Sequence, residues 1–206
     1  MNTLAPSSKS RLPISGKTLK KTASAVGLSS SAQWIRLRAL LRVRDFGKLL
    51  LRPIKPEDEP LMVEFHRALS EESVYSRYFE HMTLEARVKH HRLVRICTNS
   101  HDSFALVAEC SGLAPSSRAI LGVGRLSRTE DPPMADFAIL VHDQAQGRGI
   151  GSALIKHLMT LARANGFKQL TGEVLVANHE MLYVCRQFGF KVQQRQDGLV
   201  QVIRDL

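Results

Sequence analysis

The sequence predicts an α/β protein in which helices cover the faces of a mixed β-sheet. Two observations predict this class. Along residues 47–206, short apolar runs bounded by turn-forming residues alternate with segments that repeat their apolar residues at helical spacing. The chain of 206 residues, 44% of them hydrophobic, is also long enough to bury one core of ordinary size.

The elements are predicted in order from residue 47. A strand at residues 49–51 leads to a helix that begins near Pro56, where the acidic residues 57–59 complement the helix dipole. Two further short helices, in "SEESVYSRYFEHM" and "LEARVKHHRLVRIC", precede three strands at residues 103–110, 119–127 and 134–142. The remaining elements are a helix at residues 149–165, a strand in "LTGEVLVA", a helix capped by Asn178 and closed by Gly189, and a hairpin around Asp197 and Gly198.

The positive charge of the chain is concentrated at its N-terminus. Residues 1–44 contain nine of the 29 Lys and Arg residues and no Asp or Glu, which leaves 20 basic and 19 acidic residues in the rest. We therefore expect a basic, disordered extension over residues 1–45 and a folded domain over residues 46–206, whose near-neutral charge argues against nucleic-acid binding. Within the extension, "AQWIRLRALLRVR" fits either a basic amphipathic helix or the beginning of a strand. A targeting peptide, a tether and a solvated tail all remain open as its role.

The cysteines and histidines give no pattern of a metal site. Three cysteines are widely spaced without a CxxC pair, and the eight histidines do not cluster. The odd, dispersed cysteines are typical of a reducing compartment, and no apolar run has the length of a transmembrane helix. These observations predict a soluble, cytoplasmic protein without a bound metal.

The stretch "QGRGIG" at residues 146–151 places three glycines where a predicted helix begins. A Rossmann fingerprint and a Walker A loop both fit poorly, because Ser152 follows Gly151 and no Gly-Lys-Ser/Thr triplet is present. The first N–H groups of a helix have no internal acceptor and carry the positive end of the dipole. Glycines leave those groups open to a diphosphate, and Arg148 adds a positive charge. The stretch therefore predicts a pyrophosphate site, with a flexible turn as the simpler alternative.

Together with its flanks, this stretch resembles a known family. The pattern Gln146-Gly147-Arg148-Gly149-Ile150-Gly151 follows a strand ending in "AILVH" and precedes "EVLVAN" and a helix ending in "FGF". In this order the motifs resemble those of the GNAT acyltransferases over residues 47–206. The segments "LRPIKPEDEPLMVEF" and "ADFAILV" are more similar to the acetyltransferase domain of bacterial protein-lysine acetyltransferases. The resemblance implies the GNAT fold, with a mixed, mostly antiparallel central sheet flanked by helices.

The resemblance also implies acetyl-CoA as the cosubstrate and assigns residues to it. The backbone of Ile139, Leu140 and Val141 would pair with the pantetheine arm, and Asn178 would lie near the pantetheine or the thioester. The pyrophosphate would lie on Gln146, Gly147, Arg148, Gly149, Ile150 and Gly151, with the Ser152 hydroxyl as a further donor or only a cap.

Two carboxylates are candidates for the general base that takes a proton from the acceptor amine. Asp136 lies where the resembling lysine acetyltransferases carry a glutamate, and Glu173 lies where some N-terminal acetyltransferases place their base. Either could instead pair with a nearby arginine, and Asp136 is slightly favoured. At the position of the family's usual acid, a tyrosine, this chain has Cys185, and Tyr183 is turned about 200° away on the helix. We therefore assign no general acid.

These expectations combine into one function with two alternatives. We expect an acyl-CoA-dependent N-acetyltransferase that transfers acetyl from acetyl-CoA by direct attack of an amine, with a protein lysine as the favoured acceptor. One alternative is a non-catalytic acyl-CoA-binding module, and the other is an acetyltransferase for small amines or antibiotics. The acceptor and the oligomeric state are not readable from the sequence.

Overall fold

A computed structural model describes residues 38–110, 118–130, 133–194 and 197–206. The predictions for residues 1–37, including the basic extension, lie outside the described residues. Residues 39–43 of the predicted extension form a strand that pairs with the next one, so the strand interpretation of this segment is confirmed and its helical alternative is wrong there. The sheet accordingly begins before the predicted domain boundary at residue 46.

Eight strands in the described part of the chain form a single sheet. They are β1 (Ala39–Val43), β2 (Gly47–Pro53), β3 (Ser103–Cys110), β4 (Ala119–Arg128), β5 (Met134–Val141), β6 (Gln169–Leu175), β7 (Lys191–Gln194) and β8 (Leu199–Asp205). Their order across the sheet is β1-β2-β3-β4-β5-β6-β8-β7. Only β5 and β6 pair in parallel, and every other neighbouring pair is antiparallel. The mixed, mostly antiparallel sheet predicted from the sequence is confirmed.

The described residues contain six α-helices. They are α1 (Glu59–Arg67), α2 (Glu71–Tyr78), α3 (Leu84–Arg87), α4 (His90–Cys97), α5 (Ile150–Ala164) and α6 (His179–Gln187). The sequence predicted two short helices after α1, but the structure has three, namely α2, α3 and α4. The extra helix is α3, which Thr83 caps by accepting a hydrogen bond from the backbone N–H of Ala86. None of the helices in the described ranges is long and apolar enough to cross a membrane.

The helices cover the two faces of the sheet. Helix α5 packs on one face, where its leucines and Ile155 join Phe104, Leu106 and Phe137 in one buried cluster. Helices α1 and α4 pack on the other face, where Met62 and Leu93 join Val107 and Leu140 in a second cluster. Because side chains alternate along a strand, Phe137 of β5 faces α5 and Leu140 faces α1 and α4.

The pairing of β5 with β6 ends early. Only Met134–Asp136 pair with Gln169, Leu170 and Thr171, although both strands continue for several residues beyond. From residue 137 onward the two strands therefore separate, and the edge of β5 that faces β6 has no neighbouring strand. The separation creates an opening in the sheet immediately before the glycine-rich loop.

Candidate active site

The glycine-rich loop follows β5 and leads into α5, as the sequence predicted. Gly147 and Gly149 have φ angles of +68° and +85°, a backbone conformation that glycine adopts without strain. A Cβ added to either residue would meet no atom within 4 Å, so the space above the loop is open. Gly151 has no positive φ, and the nearest atom to its added Cβ is Val141 Cγ2 at 4.0 Å. Gly147 and Gly149 thus allow a backbone conformation that other residues rarely adopt. All three glycines leave the backbone N–H groups of the loop accessible, because they carry no side chain.

The N-terminus of α5 presents unpaired amide groups to this open space. Its first backbone bond runs from Ala153 N to Gly149 O at 3.0 Å, so the N–H groups of residues 150–152 have no helical acceptor. Gly149 occupies the N-cap position and provides no side-chain bond to them. Three donors and the positive end of a 15-residue helix therefore converge on one point, which is the arrangement that binds phosphate groups in proteins. The loop fits a pyrophosphate.

Arg148 is held by the turn between β1 and β2. Its guanidinium pairs with the carboxylate of Asp45, donates to the carbonyl oxygen of Arg44 at 3.2 Å and lies 5.2 Å from the centre of the Phe46 ring. Asp45 thus compensates the charge that the sequence analysis ascribed to the anion site. Arg148 anchors the loop to the first hairpin, a role that sequence reasoning missed because its partner lies about a hundred positions earlier in the chain.

A second set of bonds joins the start of the loop to α2. The carboxylate of Asp143 accepts hydrogen bonds from the hydroxyls of Ser70 and Ser73, both at 2.6 Å, and from the Ser70 amide at 2.9 Å. Burial raises the pKa of Asp143, but these hydrogen bonds outweigh it and lower the pKa below its ordinary value. The Gln146 side chain donates to Ser73 at 2.9 Å and to the Val141 carbonyl at 3.1 Å. Gln146 therefore positions the loop with its side chain, and its contact with the pyrophosphate stays a prediction.

The residues assigned to the pantetheine arm lie along the unpaired edge of β5. Ile139 and Val141 are half-buried and face α5, while the Leu140 side chain is buried on the opposite face. Their backbone borders the opening between β5 and β6. Asn178 lies beyond the end of β6, where its Oδ1 caps α6 by accepting from Met181 N at 3.0 Å. Its predicted capping role is confirmed, and its contact with the cofactor stays a prediction.

Asp136 lies at the last paired position of β5, at the point where the sheet opens. Its side chain is half-buried, and burial is the main cause that raises the pKa of Asp136 to about 6. The positive charge of Arg77 acts in the opposite direction, and the negative charge of Glu173 adds to the rise. A carboxylate with such a pKa is ionised at neutral pH and is a stronger base than an ordinary aspartate.

Glu173 lies on the same face of the sheet as Asp136. Asp136 pairs with Thr171 in parallel register, and Glu173 is two residues further along β6, so all three side chains face one side. Glu173 is exposed and Asp136 is half-buried. The structure brings both predicted carboxylates to one side of the opening but gives them different environments, of which that of Asp136 is better suited to proton transfer.

The candidates for a general acid lie outside this opening. Cys185 is fully buried in the α5 core, and burial raises the pKa of its thiol to about 12. Tyr183 is 62% exposed on the outer side of α6. Neither side chain is placed to donate a proton at the point where β5 and β6 separate. The described residues contain no group of three or more His, Cys, Asp or Glu side chains that could hold a metal ion.

The structure also contains a cleft that the sequence analysis did not predict. It has a volume of about 620 Å³ and lies between the sheet and helices α1, α2 and α4. Ala138 and Leu140 of β5 form part of its floor, so it opens on the same face as Asp136. Four arginines line the cleft: Arg77, Arg92, Arg95 and Arg125. They belong to α2, α4 and β4, and the sequence does not show that these three elements are neighbours.

A strand that separates from its parallel neighbour is followed here by a glycine loop and the open N-terminus of a helix, an arrangement that suits a phosphorylated ligand. Comparison with known proteins assigns the family. The family model for the acetyltransferase (GNAT) domain matches residues 48–191. The chain belongs to this family, whose members transfer acyl groups from acetyl-CoA.

Individual relatives agree with this assignment. The chain is 28% identical to the acetyltransferase PA5475 of Pseudomonas aeruginosa over 163 residues, which are 79% of this chain and 85% of that protein. Its fold matches the crystal structure of the GNAT domain of S. lividans PAT with a TM-score of 0.73 at 29% identity, covering 83% of this chain and 98% of that one. It also matches Mycobacterium smegmatis RimJ in complex with CoA-disulfide, with a TM-score of 0.64 at 17% identity over 82% of this chain and 86% of that one. The last similarity shows the fold alone.

Proposed function

We propose that this chain transfers the acetyl group of acetyl-CoA to the side-chain amine of a protein lysine, with Asp136 as the general base. The observation that carries the proposal is the position of Asp136. It is a half-buried carboxylate whose pKa is raised to about 6, at the point where β5 leaves its parallel neighbour, and the same strand leads into the glycine loop. A general base is most effective when its pKa lies near the working pH.

The reaction needs one proton acceptor and one proton donor. The amine lone pair attacks the thioester carbonyl carbon, the carbon–sulfur bond breaks, and the sulfur leaves with its electron pair. Asp136 takes the proton that the amine loses. Because a thiol has an ordinary pKa of about 8.5, the departing thiolate can take its proton from solvent without an assigned general acid. The products are the acetylated amine and free coenzyme A.

The cofactor half of the site rests on the backbone. The open N–H groups of residues 150–152 would bind the pyrophosphate, with Gly147, Gly149 and Gly151 keeping side chains away from it. The free edge of β5 at residues 139–141, apart from the Val141 carbonyl to which Gln146 donates, would pair with the amide groups of the pantetheine arm. Both sites lie on one path that ends at Asp136, since the loop, the free edge and the carboxylate follow each other along β5.

Support for a lysine as the acceptor comes from the sequence. Segments on both sides of the glycine loop resemble the acetyltransferase domain of bacterial protein-lysine acetyltransferases, and a solved GNAT domain of S. lividans PAT covers most of the chain at 29% identity. The cleft beside Asp136 has room for an extended lysine side chain, because its volume of about 620 Å³ lies in the range of small-molecule sites.

A thiol-release assay tests the proposal. The purified chain is mixed with acetyl-CoA and a panel of capped lysyl peptides, proteins and small amines, and free thiol is measured with time. Turnover on lysyl peptides that disappears in the Asp136→Asn variant supports the proposal. Tight binding of acetyl-CoA by calorimetry without turnover on any acceptor would instead favour a non-catalytic acyl-CoA-binding module.

A further inference from the structure

The arginines that line the cleft have no anionic partner among the described residues. None of the lining residues of the cleft in these ranges is an Asp or Glu. Arg125 donates to the Ser103 hydroxyl at 2.6 Å and to the Ile96 carbonyl at 2.8 Å, both of which are neutral acceptors. Arg77 and Arg92 both lie with their guanidinium carbons 5.0 Å from the centre of the Tyr78 ring. These contacts leave the positive charges of Arg92 and Arg125 uncompensated, while Arg77 interacts at longer range with the carboxylate of Asp136.

Buried polar groups beside the arginines also lack partners. His66 is 1% exposed and lines the cleft, yet neither of its ring nitrogens has a hydrogen-bond partner in the described part of the chain. The Nε of Arg92 is likewise buried and unpartnered there. A buried donor without an acceptor costs free energy, so such groups are usually satisfied by a ligand or water. Burial, with the positive charges of Arg87, Arg92 and Arg77, lowers the pKa of His66 to about 4, so at neutral pH this ring is uncharged and can donate one N–H.

The cleft and the proposed base lie within reach of one small molecule or side chain. Asp136 is two residues before Ala138 on β5, and residues spaced by two face the same side about 7 Å apart. Arg77 is near enough to Asp136 to lower the pKa of that carboxyl against the effect of burial. An acceptor whose amine is at Asp136 would therefore place its other polar groups among the arginines.

We propose that the acceptor of this enzyme carries a carboxylate close to its reacting amine, and that Arg77, Arg92 and Arg125 bind this carboxylate. The inference rests on the proposed acetyl transfer at Asp136 and adds its substrate class. Guanidinium groups bind carboxylates through strong, directional hydrogen bonds, and uncompensated arginines in a half-buried cleft bind them more strongly than surface arginines do. The carboxylate has two sources with the same chemistry: an acidic residue next to the lysine of a peptide, or the carboxylate of a free amino acid.

Matched acceptors test the inference. Capped peptides with Asp on both sides of a lysine are compared with peptides of equal length that carry Asn instead, and free amino acids are compared with their amides. We expect kcat/KM to be at least tenfold higher for the member of the pair that carries the carboxylate. Preference in the peptide pair identifies an acidic sequence context, and preference only in the amino-acid pair identifies a small-molecule acceptor. Equal rates within both pairs would overturn the inference and leave the acetyl transfer itself supported.

Variants link the preference to the arginines. Arg92→Gln and Arg77→Gln should each reduce the preference for the carboxylate to less than about threefold. The preference is a ratio of two acceptors, so an effect of Arg77 on the pKa of Asp136 acts on both and cancels. The matched control is Arg163→Gln, which removes the same charge from an exposed position on α5 and should keep the full preference. Affinity for coenzyme A, measured by calorimetry, checks the folding of each variant. A loss of coenzyme A affinity in Arg92→Gln with unchanged acceptor preference would assign the cluster to the cofactor and overturn the inference.

Equilibrium binding separates this inference from the proposed function. The acidic and neutral peptides are titrated into the enzyme with coenzyme A present, so that no turnover is needed. If no acceptor is acetylated but the acidic peptide binds at least tenfold more tightly, the proposed catalysis fails and the carboxylate site is supported. Equal or undetectable binding of both peptides together with equal rates contradicts the carboxylate site.

Discussion

Replacing Asp136 with asparagine should make the protein more stable while it removes the activity. The pKa of Asp136 is raised from 3.8 to about 6, chiefly by burial. Since one pH unit corresponds to 1.36 kcal/mol, this difference is a destabilisation of the folded state of up to about 3 kcal/mol when the carboxyl is ionised. Asparagine has nearly the same shape, carries no charge and keeps an oxygen for the backbone N–H of Phe137. We therefore expect Asp136→Asn to raise the free energy of unfolding by about 2–3 kcal/mol at about pH 8, or Tm by roughly 5–10 °C.

The sign of this effect with pH follows from the two pKa values. Because the folded-state pKa of Asp136 lies above the unfolded-state value, the protonated form favours folding. This contribution is fully present below about pH 4 and is lost as the pH rises through about 6. The advantage of the asparagine variant should thus fall to about one third at about pH 4.5. For the wild-type enzyme, kcat/KM should rise with pH through about 6 and then level off, since only the ionised carboxylate accepts a proton.

Two measurements check the reasoning. Urea denaturation at the two pH values gives the stability change, and the thiol-release assay gives a fall in kcat of about 10²–10⁴ with little change in KM for acetyl-CoA. Glu173→Gln is the matched control because its side chain is exposed, and we expect its stability to change by less than about 0.5 kcal/mol at either pH. A destabilised Asp136→Asn variant, or a gain that does not shrink at low pH, would refute the burial argument. If Glu173→Gln loses the activity and Asp136→Asn keeps it, the base is Glu173.

Three further substitutions test the loop and its supports. Gly149→Glu should weaken coenzyme A binding at least about 100-fold in calorimetry. The matched control is Gly166→Glu at the far end of α5, since Gly166 has a similar φ of +77° and similarly open surroundings. This variant should leave coenzyme A binding unchanged. Equal losses of affinity in both variants would mean that backbone strain causes the effect. Asp143→Ala leaves two serine hydroxyls and an amide without their acceptor and should lower the free energy of unfolding by about 1–3 kcal/mol in urea, with no change as the contrary result. Gly172→Ala would place a Cβ 2.8 Å from the Phe137 ring and should destabilise the fold by about 1–3 kcal/mol, less so in a Phe137→Leu background. An unchanged Tm for Gly172→Ala would contradict the close contact.

Local patterns predicted the parts of this molecule that depend on neighbours in the chain. The period of the apolar residues predicted the helix that the structure shows as α5, and the glycine pattern predicted the open N-terminus in front of it. The Asn178 cap is also a local feature, since its partner Met181 is three residues away. Each of these features is determined by backbone geometry within a few residues, which is why a single sequence was enough.

Features built from distant residues were not predictable in this way. Asp58 was expected to complement a helix dipole, and it does lie at the N-cap of α1, but it is also fully buried and accepts two hydrogen bonds from the guanidinium of Arg52. The two residues belong to a buried ion-pair cluster, which also includes Glu109 of β3 at 2.5 Å from Arg52. The arginines of the cleft are a similar case, because α2, α4 and β4 are separate in the sequence and come together only in the folded structure. The numbers of acidic and basic residues in the sequence indicated neither the buried ion-pair cluster nor the arginines of the cleft.

The place of the glycine loop is set by glycines in the neighbouring strand. A Cβ on Gly122 of β4 would lie 2.8 Å from Ile150 Cγ2, and one on Gly124 would lie 3.2 Å from Leu158. Their bare backbone lets α5 pack closely on β4 from its first residue onward. The unpaired amides at the start of α5 are therefore held close to the sheet, where an added Cβ on Gly151 would lie 4.0 Å from Val141 Cγ2 of β5. Because a shift of one residue in the β4–β5 register would turn Asp136 away from the cleft and toward α5, the same pairing that positions the loop also decides which face receives the acceptor.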